Sequence, residues 1–190
     1  MTALHIISFA ALWLGYQGYW SVKSRSVKAS TAKEPLPSRL VRLVVMLVAI
    51  GLLVLLDIPL GLLDDRFLPT GEGTFWAGFV IAAVGLGFSV WGRRHLGGYW
   101  SQAVTLKEDH RLITSGPYAF VRHPIYSGLL LGLLGSAIAI GEIRGLAAVA
   151  LVFSVLWQKL RLEERWMRER FGTSYENYAA KVAALVPYIL

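Results

Sequence analysis

The sequence contains no cysteine, which excludes disulfide bonds, a thiolate nucleophile and a cysteine-ligated metal. Only four of the 190 residues are histidine. They lie far apart along the chain without helical pairing, so we expect no metal site. Acidic residues are few, 12 against 19 Lys and Arg, and the net charge is +7. Because the basic residues flank apolar runs, they indicate membrane topology and contact with anionic lipid headgroups, and we expect no nucleic-acid partner.

Apolar residues make up 55% of the chain, and they fall in long runs typical of transmembrane helices. Five such runs are residues 4–20, 40–63, 75–91, 125–140 and 145–160. The last two are separated by four residues only, which predicts an antiparallel helical hairpin. The sequence therefore predicts an all-α integral membrane protein of about five transmembrane helices. We expect spans 1–3 in residues 1–91, and a cytosolic loop, the hairpin and a C-terminal amphipathic helix in residues 92–190.

Lys and Arg residues are concentrated after the first, third and fifth runs. The positive-inside rule then predicts an N-terminus outside and a cytoplasmic C-terminus. The first run has no basic residue before it, so we expect a retained span and not a signal peptide. Because the chain is compact and has no eukaryotic-style extension, we expect it in a prokaryotic inner membrane.

Small residues recur within two of the predicted spans and favour close helix packing. They are Gly78, Gly85 and Gly87 in the third run, and Gly128, Gly132, Gly135 and Ser136 in the fourth. We expect the second group to serve the tight packing of the hairpin.

A second local pattern follows the last span, where Gly172 is expected to end the long fifth helix. Thr173 and Glu176 have the spacing of a capping box for one further helix. Apolar and aromatic residues from Phe171 to Leu185 recur at helical spacing, which predicts that this helix is amphipathic and lies on a surface.

A polar, proline-containing segment at residues 110–128 separates the third and fourth runs. Pro124 suits the first position of a helix, whose N-terminus can offer N–H groups to a carboxylate. Taken alone, Arg122 and His123 are equally compatible with an interfacial pair that contacts lipid headgroups.

Two acidic residues, Glu163 and Glu164, follow the fifth run. Alone they are more typical of a solvated helix face paired with Lys159 or Arg168. The predicted hairpin, however, returns them to the membrane face that carries residues 110–128. This coincidence favours one joint site.

The two polar regions contain a set of residues in a fixed order. The set runs over Gly97, Trp100-Ser101, His110 to Ile113, Gly116 to Tyr118 and Val121 to Gly128, and continues with Glu163-Glu164, Phe171-Gly172, Tyr175, Tyr178 and Val186-Pro187. This ordered set resembles the isoprenylcysteine carboxyl methyltransferase family and, more loosely, the phospholipid N-methyltransferases. The resemblance implies an S-adenosylmethionine-dependent enzyme with a cytosolic cofactor site. The implied cofactor-binding residues are His110, Arg111, Leu112, Ile113, Tyr118, His123, Pro124, Ile125, Tyr126, Glu163 and Glu164.

The acceptor side departs from the family pattern, because Lys159 stands where members have Arg, and Arg161 is nearby. We expect Lys159 or Arg161 to orient a lipophilic acceptor. A carboxylate, as in isoprenylcysteine O-methylation, is the preferred acceptor, and a phospholipid or other lipid amine is the alternative. A nicotinamide enzyme resembling sterol reductases and a non-catalytic membrane scaffold are the other hypotheses.

Overall fold

The computed structural model describes residues 2–24, 36–55, 58–97 and 112–188. Within these ranges the chain is helical, and its one extended pairing is an isolated bridge between Arg66 and Glu142. The α-helices are α1 (Ala3–Ser24), α2 (Leu36–Val54), α3 (Glu72–Leu96), α4 (Pro124–Ile140), α5 (Ile143–Phe171) and α6 (Thr173–Ala179). Short 3₁₀ turns span Gly61–Asp64 and Gly116–Ala119. The predicted all-α class is confirmed for the described part of the chain.

Helices α1 to α5 overlap the five predicted apolar runs, with one clear difference in length. Helix α2 ends at Val54, whereas its run was predicted to continue to residue 63. Pro59 explains part of the difference, because proline lacks an N–H donor and disfavours a helical conformation in the preceding residue. Among the described residues, α3 and α5 are long and apolar enough to cross a membrane, while α4 and the apolar part of α2 are shorter.

Helices α3 and α4 form the closest pair in the fold, and they run antiparallel. The Cβ of an alanine at Gly78 would lie 2.5 Å from the backbone of Ala139, and one at Gly85 would lie 2.6 Å from the backbone of Gly132. The expectation that the small residues of α4 serve the hairpin is therefore wrong for most of them. Gly128, Gly132 and Gly135 face α3, and the contact of α4 with α5 is made instead through Ala137 and Gly145.

The hairpin of α4 and α5 packs against α2 through an apolar layer. Its buried members are Ala49, Leu133, Ala148, Val152 and Leu156. Helix α1 lies against α3 and α4, and side-chain hydrogen bonds join it to both helices. The indole N–H of Trp13 donates to Ser136 (3.2 Å), and the hydroxyls of Tyr16 and Ser89 are 2.9 Å apart.

Arg144 links the helices at the end of the bundle where α2 ends and α5 begins. Its side chain is 2% exposed and forms ion pairs with Asp64 and with Glu142 (3.0 Å). It also donates hydrogen bonds to the carbonyls of Leu55 (3.1 Å) and Ile58 (3.3 Å). The buried guanidinium is thus compensated by charge and by backbone oxygen, as burial of a cation requires.

The C-terminal helix is shorter than predicted. Gly172 ends α5 as expected, with φ of +49°, but it is also the N-cap of α6, and no side chain caps that helix. The predicted capping box of Thr173 and Glu176 is therefore wrong, because Thr173 is already inside the helix. Helix α6 ends at Ala179, so Val182 and Leu185 lie beyond it.

Alanine at Gly85 and alanine at Gly87 test the α3–α4 contact as a matched pair. We expect Gly85→Ala to lower the melting temperature by several degrees, because its Cβ meets the α4 backbone and overpacking costs about 1–3 kcal/mol. A Cβ at Gly87 meets nothing within 4 Å, and Gly87→Ala should be neutral or stabilising because alanine favours helix. Thermal unfolding in detergent, followed by circular dichroism, measures both, and equal losses would contradict the close pairing.

Candidate active site between the start of α4 and the end of α5

A buried ion pair joins the turn before α4 to the last part of α5. Arg122 donates from Nε (2.8 Å) and Nη2 (2.6 Å) to one oxygen of Glu164. The two side chains are 11% and 9% exposed. The other oxygen of Glu164 accepts from Arg168 at 3.2 Å. Both carboxylate oxygens of Glu164 are thus bound by arginines. The hairpin brings the acidic end of α5 to the residues that precede α4.

The backbone of the segment after α6 completes this junction between the turn before α4 and the end of α5. The Nη1 of Arg122 donates to the carbonyls of Ala179 (3.1 Å) and Val182. The N–H groups of Arg122 and His123 donate to the carbonyls of Ala183 (2.8 Å) and Ala184 (3.0 Å). The Ser127 hydroxyl donates to Leu185 at 2.6 Å. Residues 179–185 are therefore held across the start of α4, with Arg122 at the centre.

Glu163 lies on the neighbouring face of α5 and has different partners. Its Oε1 accepts a 2.6 Å hydrogen bond from the Tyr126 hydroxyl and lies 3.8 Å from the Lys159 ammonium. Lys159 is also 5.5 Å from the centre of the Tyr126 ring, which is within the range of a cation–π contact. The structure therefore brings Tyr126, Lys159 and Glu163 together, as the sequence predicted.

His123 lies between the two carboxylates. Its Nδ1 is 3.6 Å from Glu163, and its Nε2 is 3.4 Å from Glu164 but forms no hydrogen bond with any residue that the structure describes. The imidazole stacks on the Tyr126 ring, with 5.6 Å between centroids and 1° between planes. Burial disfavours the charged imidazole, but the interactions with Glu163 and Glu164 outweigh it and raise the pKa of His123. A buried nitrogen without a hydrogen-bond partner calls for an explanation, and a bound ligand or water is one of them.

A small cavity of about 60 Å³ opens beside His123. Its walls are apolar and aromatic, and they are formed by Leu96, Leu112, Ile113, Tyr118, Arg122, His123, Met167, Tyr175 and Tyr178. The Tyr178 hydroxyl donates to the Tyr118 carbonyl at 2.6 Å. Burial raises the pKa of Tyr178 to about 12, so the phenol remains a donor at neutral pH. Four residues predicted to bind a cofactor line this cavity: Leu112, Ile113, Tyr118 and His123.

Pro124 and Ile125 lie at the start of α4 and pack against Gly92 of α3. The first-turn N–H groups of Tyr126 and Ser127 already donate to the His123 carbonyl, each at 3.0 Å. The helix N-terminus therefore has fewer N–H groups to offer a carboxylate than the sequence suggested. Its main contribution to the site is to position His123 and Tyr126.

The remaining predicted residues are not part of the cluster that the structure describes. Arg161 is exposed, and two residues along an α-helix point about 160° apart, so it faces away from Glu163. His110 and Arg111 lie outside the described residues. Among those residues, no group of three or more His, Cys, Asp or Glu side chains could hold a metal ion.

Arg122 is the residue that sequence reasoning undervalued. Its motif with His123 and Pro124 was visible, but an arginine next to an apolar run is equally compatible with a headgroup contact. Arg122 is fixed by backbone carbonyl groups of the segment after α6, and no side-chain pattern in the sequence predicts such a contact. Tyr175 and Tyr178 belong to the aromatic pattern predicted between Phe171 and Leu185, but their position on the cavity depends on the fold.

The sequence model of the phospholipid methyltransferase family matches residues 74–174, and the chain belongs to that family. The matched range contains nearly all of α3, all of α4 and α5, and the buried ion pair. The family resemblance predicted from the sequence is thus confirmed.

Three curated relatives show how far the similarity extends. A protein-S-isoprenylcysteine O-methyltransferase of Schizosaccharomyces pombe is 40% identical over 87 residues, covering 43% of this chain and 35% of the relative. Protein-S-isoprenylcysteine O-methyltransferase B of Arabidopsis thaliana is 32% identical, covering 44% and 43%. A cobalt-zinc-cadmium resistance protein, CzcN, of Cupriavidus metallidurans is 33% identical, covering 43% and 38%. The chain spans less than half the length of these relatives.

Neutralising each arginine that contacts Glu164 tests which ion pair holds the junction. Arg122→Gln leaves a buried carboxylate without its main partner, and we expect a loss of about 3–5 kcal/mol of stability. Arg168, whose side chain is 47% exposed, serves as the control, and Arg168→Gln should cost about 1 kcal/mol or less. Denaturant unfolding in detergent measures both losses, and similar values for the two variants would contradict the central position of Arg122.

Proposed function

We propose that the protein is a membrane-embedded, S-adenosylmethionine-dependent methyltransferase that transfers a methyl group to the carboxylate of a lipophilic acceptor. The observation that carries the proposal is the convergence of Glu163, His123 and Tyr126 beside an aromatic-walled cavity, within the family-matched range. The named activity of the isoprenylcysteine O-methyltransferase relatives supports the same conclusion.

The described residues suit this cofactor in three respects. Aromatic and apolar walls suit an adenine ring, and the unsatisfied Nε2 of His123 can donate to a carboxylate. Glu163 provides negative charge for an ammonium or a sulfonium. The cavity of about 60 Å³ is below the roughly 300–1,000 Å³ of ligand pockets, so occupancy requires its walls to separate. We assign cofactor binding to Leu112, Ile113, Tyr118, His123, Tyr126 and Glu163, with Glu164 and Pro124 positioning them.

S-adenosylmethionine, when bound, would supply a methyl group on a cationic sulfur; the acceptor's carboxylate oxygen would form the new O–C bond while the S–C electron pair returned to sulfur. A carboxylate is ionised at neutral pH, so this reaction needs no general base. The chain's task is to align the two reactants and to exclude water. We assign the orientation of the acceptor to Lys159, which lies beside Glu163 and Tyr126. Arg161, which is exposed, is left out of this assignment.

The membrane setting of the proposal rests on the exposed apolar helix faces. Only 33% of the apolar window of α3 and 39% of that of α5 are buried within the fold. Large apolar residues of α1 and α2 are also exposed, among them Leu14, Val44 and Leu47. We infer five membrane-spanning helices, an external N-terminus, a cytoplasmic C-terminus and a prokaryotic inner membrane. An apolar acceptor would then enter from the bilayer.

A lipid amine is the second candidate acceptor, and the match to the phospholipid methyltransferase family favours it. An amine must lose a proton before it attacks, so this reaction would need a base. Glu163 is the candidate, because Glu164 is bound by two arginines. A transfer assay with tritiated methyl groups, offering a prenylcysteine analogue and phosphatidylethanolamine side by side, separates the two acceptors.

Neutralising Glu163 tests the cofactor assignment. We expect Glu163→Gln to weaken S-adenosylhomocysteine binding at least tenfold, which corresponds to about 1.4 kcal/mol. Glu169 lies on the same helix and is exposed, and Glu169→Gln should bind like the parent. Calorimetry on purified protein measures both affinities, with NADPH as a second ligand.

Three results would count against the proposal. Equal affinity of the Glu163→Gln variant and the parent would remove the site assignment. Tight binding of NADPH alone would favour a nicotinamide enzyme. Binding of neither ligand would favour a non-catalytic scaffold.

A further inference from the structure

The loop of residues 58–64, which follows α2, turns apolar side chains outward and its carboxylate inward. Leu62 is 81% exposed and Leu60 is 38% exposed. The carboxylate of Asp64 is turned toward the fold, where it pairs with Arg144 and accepts a 2.7 Å hydrogen bond from the Leu60 N–H. Contiguous exposed apolar side chains mark an interaction surface, so this loop has an apolar neighbour to account for.

Helix α2 is short for a membrane crossing. At 1.5 Å per residue its apolar part, Leu40–Val54, is about 22 Å long, whereas the hydrocarbon core of a bilayer is about 30 Å thick. The side chains of Val54 and Leu55 at the end of α2 are exposed, and the outward apolar residues of the 58–64 loop come next among the described residues. The loop therefore extends the exposed apolar face of α2 over the remaining distance of about 8 Å.

Backbone groups at this junction have partners inside the protein. Arg144 donates to the carbonyls of Leu55 (3.1 Å) and Ile58 (3.3 Å), and the Asp65 N–H donates to the carbonyl of Leu62 (3.3 Å). Near hydrocarbon there is little water to satisfy such groups, and leaving them unpaired is costly. The guanidinium of Arg144 takes the place of water at the end of α2, which allows the loop to lie against lipid.

The 58–64 loop and the candidate active site lie at opposite ends of the bundle. Arg144 is at the start of α5 and Glu163 is near its end, about 28 Å away along the helix axis. Trp76 lies in the first turns of α3, at the same end as the loop, and its half-exposed indole donates to Glu72 at 2.9 Å. Such an amphipathic ring is favoured at the headgroup level. The loop is therefore placed near the surface of the leaflet opposite the site.

We propose that the 58–64 loop is a lipid anchor, which inserts the side chains of Leu60 and Leu62 into the boundary between headgroups and acyl chains and so holds the end of α2 in that leaflet. Apolar faces at this boundary are buried to a depth of roughly 5–10 Å, which matches the distance that α2 leaves uncovered. The inference rests on the membrane setting of the proposed function, and it assigns a lipid-binding surface outside the candidate active site.

The test is a spin label at Leu62. Because the chain contains no cysteine, Leu62→Cys gives a single site for a nitroxide, and the protein is placed in phosphatidylcholine vesicles. Power saturation measures collisions of the label with oxygen, which concentrates in the bilayer, and with a polar nickel chelate, which stays in water. Leu14→Cys, exposed on the apolar α1, is the lipid reference, and Glu169→Cys, exposed near the end of α5, is the water reference.

We expect the oxygen-to-nickel collision ratio at Leu62 to exceed that of the Glu169 label at least tenfold, and any smaller ratio overturns the inference. An immobilised label that meets neither reagent also overturns it, because a protein then covers the loop. If the Leu14 label itself behaves like the Glu169 label, the membrane setting of the proposed function fails, and not the loop assignment alone. Leu60→Cys on the same loop replaces the Leu62 variant if that variant does not fold.

Discussion

The ion pair between Arg122 and Glu164 is the constraint on which the candidate site depends. A buried guanidinium and a buried carboxylate each lose solvation, and the loss is offset only when further hydrogen bonds satisfy them. Here the carbonyls of Ala179 and Val182 and the second arginine, Arg168, supply those bonds. Because the pair crosses from the turn before α4 to the end of α5, it fixes Glu163 and His123 relative to each other.

Much of the fold could be predicted from local pattern. Apolar runs of known length predict helices, and the short interruption of four residues between the last two runs, Gly141 to Arg144, predicts the hairpin. The continuation of α5 into its charged end follows from helix-favouring residues up to Gly172. Once the hairpin was predicted, the meeting of Glu163 with His123 and Tyr126 followed from its length alone. This part of the site could therefore be predicted from the sequence once the turn between α4 and α5 was recognised.

The remaining features depend on tertiary contacts that side-chain patterns do not encode. The small residues of α4 could have faced either neighbour, and the structure pairs them with α3. The carbonyls of residues 179–185 are backbone groups, so no sequence motif predicts their contact with Arg122. Arg161 was expected to contribute because it is close to Glu163 in sequence. Residues two apart on a helix lie on nearly opposite faces, so it does not join the cluster.

Ultraviolet cross-linking with S-adenosylmethionine labelled in its methyl group tests the central claim most directly, namely that the segment before α4, the end of α5 and the following helix α6 hold one cofactor between them. The account predicts label, displaced by excess S-adenosylhomocysteine, on peptides that carry Tyr118 and Tyr126 and on peptides that carry Tyr175 and Tyr178. Displaceable label confined to peptides of α1 would contradict it.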